Sequence, residues 1–183
     1  MNIDSIRDDV SYVREITRAD TLRPPSSIAL LWAALVAVGF PLADFAPSRV
    51  GIFWMIAGPA GFLASCALGW WDARRRGQMS RREGAKWTMH WLALVVAIFL
   101  AAPLLQTKQV TGKGFGALVL LLLSLTYFLG GVHLEGKLRW IGLLIAGGYV
   151  ATFFLSTYVW TIIGGVFALS LALSAFVGEP KRA

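Results

Sequence analysis

Charge is what this sequence has least of. Charged residues make up 15% of its 183 positions, where a soluble domain carries about 25%. Hydrophobic residues make up 57%, well above the usual apolar share of about 45–50%. A globular core of one domain cannot absorb that much apolar surface, but a bilayer can, because lipid takes the place of a buried interior. Cysteine is nearly missing as well. The single Cys66 excludes an internal disulfide and any cysteine-based metal cluster, and its place inside an apolar run reads as a small buried hydrophobe. There is no phosphate-binding P-loop, no histidine pair at metalloprotease spacing and no nucleophile elbow. The chain therefore reads as a protein without enzymatic activity and without a cofactor.

What the sequence has is long apolar runs. A membrane helix needs roughly 20 mostly apolar residues to cross a hydrocarbon core of about 30 Å. Six runs qualify: Ile28–Phe45, Val50–Trp71, Trp87–Leu105, Gly112–Val132, Leu138–Leu155 and Thr157–Val177. The expected fold is all-α and polytopic, a six-helix transmembrane bundle over 28–177, preceded by a cytoplasmic segment over 1–27 and followed by a tail over 178–183. Pro41 predicts a bend near the end of the first span, since proline removes a backbone donor. The first run does not read as a cleavable signal peptide, because its polar leader is 27 residues long and mixed in charge.

Basic residues accumulate in cytoplasmic loops, and here they are distributed very unevenly. With the N-terminus inside, fourteen of the seventeen fall on the cytoplasmic side, and only Arg49, Lys108 and Lys113 fall outside. The densest group is Arg74, Arg75, Arg76, Arg81, Arg82 and Lys86, between the second and third runs. It reads as a topology-setting loop in contact with anionic lipid headgroups or with a partner. Trp70, Trp71, Trp87 and Trp140 flank the same side, where amphipathic rings prefer the headgroup zone. The expected location is a bacterial inner membrane with both termini cytoplasmic. Nucleic acid is not an expected partner.

The outer loops are very short, which predicts three antiparallel hairpins, each opening on the inside near a tryptophan. Glycine pairs at 130–131, 147–148 and 164–165, and the pair Gly142 and Ala146, offer small surfaces for close helix packing. This three-hairpin layout, with a short charged helix running into "RPP" before the first span, resembles uncharacterised small six-span bacterial inner-membrane proteins, including those of the acid-resistance type. The resemblance implies an architecture and carries no site residues.

Ionisable groups placed inside spans are costly and usually functional, and the cores of runs two to six contain no Asp, Glu, Lys or Arg. The exception near the membrane boundary is His90 with His133 and Glu135. Two imidazoles and a carboxylate suit a metal or a proton-sensing pair, set against the plainer reading of interfacial histidines beside a solvated glutamate.

The remaining signal is the N-terminus. Ile3, Ile6, Val10, Val13 and Ile16 recur at helical spacing, and Asp4 and Asp8 suit the positive end of a helix dipole. Two heptads are too few for a stable isolated helix, so the stripe needs a packing surface. That surface is its own bundle, a second copy or a protein partner. The leading functional expectation is a membrane anchor or sequestering regulator acting by protein interaction, as a homo-oligomer or with a membrane or cytoplasmic partner. The alternative is a small oligomeric transporter or channel for a neutral or weakly polar solute.

Overall fold

The computed structural model describes residues 25–76 and 81–176. The N-terminal stripe at Ile3–Ile16 and the tail at 178–183 lie outside the described residues. Among the described residues the chain is wholly helical. The elements are α1 (Ser26–Gly39), a single-turn α2 (Leu42–Phe45), α3 (Pro47–Arg76), α4 (Arg81–Gln106), α5 (Gly112–His133), α6 (Leu138–Ala151) and α7 (Val159–Phe176).

Five segments are long and apolar enough to cross a membrane: Ser26–Phe45, Pro47–Arg75, Gly84–Gln106, Gly112–His133 and Val159–Phe176. This agrees with a multi-pass membrane protein. The fifth run of the sequence behaves differently from the other five. Its helix, α6, has 14 residues, about 21 Å at about 1.5 Å per residue, and irregular turns follow it from Thr152 to Tyr158. The expected bend at Pro41 is present, where α1 stops and the short α2 begins.

Burial separates the helices into a centre and a periphery. In α7, 39% of the best span-length window is buried, against 6% in each of α3 and α4. The centre is built from α1, α5, α6 and α7. Val159, Ile163, Phe167 and Leu171 recur every fourth residue along α7, which places them on one face. They meet Ala33 and Val36 of α1, Leu120 and Tyr127 of α5, and Ile141 and Ile145 of α6. The helices most extensively packed are α5 against α6 and α1 against α7. The sequence-adjacent pairs α1 with α3, α4 with α5 and α6 with α7 also touch.

Each major joint has a hydrogen bond across it. Ser124 Oγ donates to the Gly142 carbonyl at 3.0 Å between α5 and α6. Ser26 Oγ donates to the Ala175 carbonyl at 3.0 Å between α1 and α7. Trp32 Nε1 donates to Ser65 Oγ at 2.9 Å between α1 and α3, and that hydroxyl donates onward to the Gly61 carbonyl at 2.8 Å. Such bonds are worth on average about 0.6 kcal/mol in a membrane protein, so they set register more than they supply stability. Trp32 thus bonds between helices.

The peripheral helices present apolar flanks outward, with Ile52, Met55, Ile56 and Leu63 on α3 and Met89, Val96, Phe99 and Leu100 on α4 exposed. Cys66 is exposed too. This corrects the expectation of a buried thiol: membership of an apolar run does not by itself put a side chain against protein. Pro59 and Pro103 lie inside α3 and α4, and both helices continue through them.

Candidate functional site

Two polar constructions stand out, one at each end of the bundle. The first is at the end that carries Trp70, Trp140 and most of the basic residues. Here α3 runs helical to Arg76 and α4 begins at Arg81, so the charged stretch consists largely of helix extensions. At about 1.5 Å per residue, the 30 residues of α3 reach about 45 Å and project past a hydrocarbon core of about 30 Å. The guanidinium of Arg74 lies 3.8 Å above the Trp70 ring and that of Arg75 lies 4.0 Å above Trp71. Both are pairs four residues apart, the spacing that makes helix side chains neighbours. Arg139 similarly lies 5.5 Å above Trp140. Of the other expected headgroup contacts, Arg76, Arg81 and Arg82 belong to the same helix ends.

Between α4 and the end of α5 is an open pocket of about 590 Å³, lined by Lys86, Met89, His90, His133 and Leu134. The structure therefore brings His90 and His133 to one place, while Glu135, in the turn that follows, is not part of the lining. His90 is fixed from behind. Its Nε2 is 3.0 Å from the carbonyl oxygen of Thr126 on α5, and because a carbonyl only accepts, Nε2 carries the proton. Nδ1 is the nitrogen Thr126 leaves uncommitted. The imidazole also packs edge-on against Trp91, centroid to centroid 5.4 Å. Gly130 makes room for it, since a β-carbon there would lie 3.0 Å from Nε2. His133 closes the last turn of α5 and is exposed. Among the described residues no three His, Cys, Asp or Glu side chains gather as a metal-holding group.

From His90 a continuous series of ring contacts crosses the bundle. Trp91 meets Tyr127 at 5.0 Å, Tyr127 meets Phe167 at 5.6 Å, Phe167 meets Phe40 at 6.2 Å and Phe40 meets Trp54 at 6.0 Å. Edge-to-face pairs of this kind contribute about 0.5–1.5 kcal/mol beyond area burial. They tie the peripheral α4 and α3 to the centre through α5, α7 and the break after α1.

The second construction is at the opposite end. Oδ2 of Asp44 accepts two bonds from Thr161, 2.7 Å from the backbone N–H and 2.7 Å from the hydroxyl. Thr161 is the third residue of α7, whose first amides have no partner within their own helix. The residue before the helix, Tyr158, is not a capping type, and its backbone is left-handed at φ 52°. Its ring rests 5.5 Å from that of Phe45. A carboxylate from the α1–α3 connection thus caps a helix that begins 115 residues later. Sequence reasoning placed Asp44 at a span end and missed this partner.

No family model matches the chain, and neither a curated protein nor a solved structure matches it. The chemistry of both constructions rests on their geometry.

Proposed function

We propose that the chain is a non-enzymatic multi-pass membrane protein that acts by interaction, as an anchor or sequestering regulator in a bacterial inner membrane, with both termini in the cytoplasm. One observation carries this reading: the centre of the bundle is filled. Leu120, Ile145 and Phe167 are its largest fully buried side chains, and the aromatic series occupies the space between α1, α5 and α7. A closely packed centre with no Asp, Glu, Lys or Arg among its described residues suits a scaffold better than a path for a solute. Most of the basic residues gather at one end, the end assigned to the cytoplasm. The sequence stripe of Ile3, Ile6, Val10, Val13 and Ile16 and the basic stretch from Arg74 to Lys86 are what we assign to contact with a partner.

The N-terminal stripe is the test. Burying one branched aliphatic side chain is worth roughly 1.5–3 kcal/mol, against about 1–2 kcal/mol per residue to order the backbone, so a packing surface decides whether the helix forms. The double substitution Ile6→Asp and Val10→Asp is expected to abolish co-purification of the partner, or the homo-oligomer, and to expose the tail to protease. The bundle should stay inserted, because neither residue is in a span. Unchanged partners, oligomeric state and protease resistance would shift the balance to the transporter reading.

Orientation has its own measurement. Cysteines introduced at Ser48 and Thr107, in a background lacking Cys66, are expected to react with impermeant thiol reagents on intact cells, and one at Gln78 only after permeabilisation. Labelling at Gln78 on intact cells would invert the topology.

A further inference from the structure

The pocket between α4 and the end of α5 has a composition that goes beyond a generic basic surface. Its lining combines one ammonium, Lys86, and two imidazoles, His90 and His133, with two apolar side chains, Met89 and Leu134. Among the described residues no carboxylate lines the pocket. His90 is not a loose surface ring. It is held by the Thr126 carbonyl, wedged against Trp91 and admitted by Gly130, which keeps the wall of the pocket in a fixed position. Met89 in the lining is 66% exposed, on the flank of a helix that continues into the apolar zone. Lys137 and Arg139 follow directly on the α5–α6 turn, adding positive charge to this end.

We propose that this pocket binds the phosphate-bearing headgroup of an anionic phospholipid. The ammonium of Lys86 and an N–H of the His133 imidazole meet the phosphate oxygens, His90 forms the fixed wall behind them, and the acyl chains descend along the exposed side of Met89. Basic pockets between membrane helices on the cytoplasmic side suit such headgroups because several donors converge where the lipid's own charge already resides. A lipid is the occupant in preference to a free phosphate because the same pocket offers apolar walls and opens onto an apolar flank. A metal ion has two imidazoles available here and no third ligand among the described residues.

The experiment measures lipid retained by the purified full-length protein by native mass spectrometry, after titration with phosphatidylglycerol or phosphatidylcholine. Phosphatidylglycerol is expected to bind preferentially. Lys86→Gln should lower its affinity about fivefold, the size expected for one basic side chain near an anionic headgroup. His133→Gln, on an exposed residue, should lower it further, and Lys108→Gln at the opposite end should leave it unchanged. The exposed positions of Lys86 and His133 keep the test independent of folding, which His90→Gln alone would not. Equal binding of phosphatidylcholine, or no effect of Lys86→Gln and His133→Gln, overturns the proposal. Displacement of phosphatidylglycerol by millimolar inorganic phosphate assigns the pocket to a free anion and overturns the lipid assignment. Zinc binding that requires both histidines and ignores Lys86→Gln overturns it in favour of a metal.

Discussion

Gly142→Leu is expected to be the most damaging single substitution in the bundle. A β-carbon at Gly142 would lie 2.5 Å from the Phe128 amide nitrogen and 2.9 Å from both the Phe128 Cα and the Ser124 carbonyl oxygen. Those are backbone atoms of α5, so no rotamer change relieves the overlap and the two helices must separate. Separation also breaks the bond from Ser124 Oγ to the Gly142 carbonyl. One turn away, a β-carbon at Gly131 would collide with the backbone of Arg139, so the whole α5–α6 joint depends on two glycines in register. Overpacking a well-filled core costs about 1–3 kcal/mol, and a backbone collision falls at the upper end of that range or above it. For a chain of this size about 3 kcal/mol corresponds to a drop in midpoint of about 6–12 °C, measurable by circular dichroism in detergent. Gly147→Leu is the control, because nothing lies within 4 Å of its β-carbon. It should move the midpoint by no more than about 0.5 kcal/mol in equivalent terms. Equal melting of the two variants would mean that α5 and α6 do not approach as closely as described.

That contrast also marks how far the sequence is legible. Hydropathy alone locates the spans, because the requirement for about 20 apolar residues is imposed by the bilayer and is local. It overstates only the fifth run, where "ATFFLSTY" is apolar enough to continue a helix but turns instead. The helix neighbours are a different matter. In lipid there is little hydrophobic drive to choose one apolar face over another, and pairing is decided by which small residue happens to face which backbone. Gly148 meets Ile163 while Gly147 meets nothing, and Gly164 meets Phe40 while Gly165 meets nothing. The paired glycines look alike in the sequence, and only their angular position on a packed helix separates them. The strong contact of α1 with α7 is therefore not written in loop length, whereas that of α5 with α6 follows from the four-residue connection 134–137 between them.

The site was legible in the same uneven way. His90 and His133 are visible as the only histidines, and counting from Gln109 in the α4–α5 turn separates them by roughly 7 Å in depth at about 1.5 Å per residue. What fixes His90 was not visible, because its partner is the main-chain carbonyl of Thr126, a group every residue has. The charged stretch showed its topological duty through composition. Its helical extension became apparent only with Arg74 and Arg75 stacked on Trp70 and Trp71, a pairing that four-residue spacing permits but does not require.

Asp44→Ala is expected to have the second largest effect, and its position makes it diagnostic. Asp44 is the one carboxylate at the opposite end of the bundle among the described residues, and Oδ2 takes both the amide and the hydroxyl of Thr161 at 2.7 Å. Hydrogen bonds to a charged group contribute about 1.5–3 kcal/mol, and a negative charge at a helix N-terminus adds about 0.3–1 kcal/mol. Partial exposure of Asp44 reduces the sum, so a loss of about 2–3 kcal/mol is expected. The loss should be local before it is global. The first-turn amides of α7, from Val159 to Thr161, should exchange hydrogen faster, while those around Phe167 keep their protection. Asp44→Asn keeps an acceptor oxygen without the charge and should recover part of the loss, and Thr161→Val, which spares the amide bond, should cost less than Asp44→Ala. The left-handed Tyr158 gives a further reason for this order. A residue at φ 52° is held there against its own preference by the groups around it, and the bond from Asp44 to Thr161 is the nearest polar constraint three residues on. If Asp44→Ala leaves both the midpoint and the exchange of these amides unchanged, the start of α7 is held by the packing of Phe40 and Trp160 alone, and Asp44 is an ordinary interfacial carboxylate.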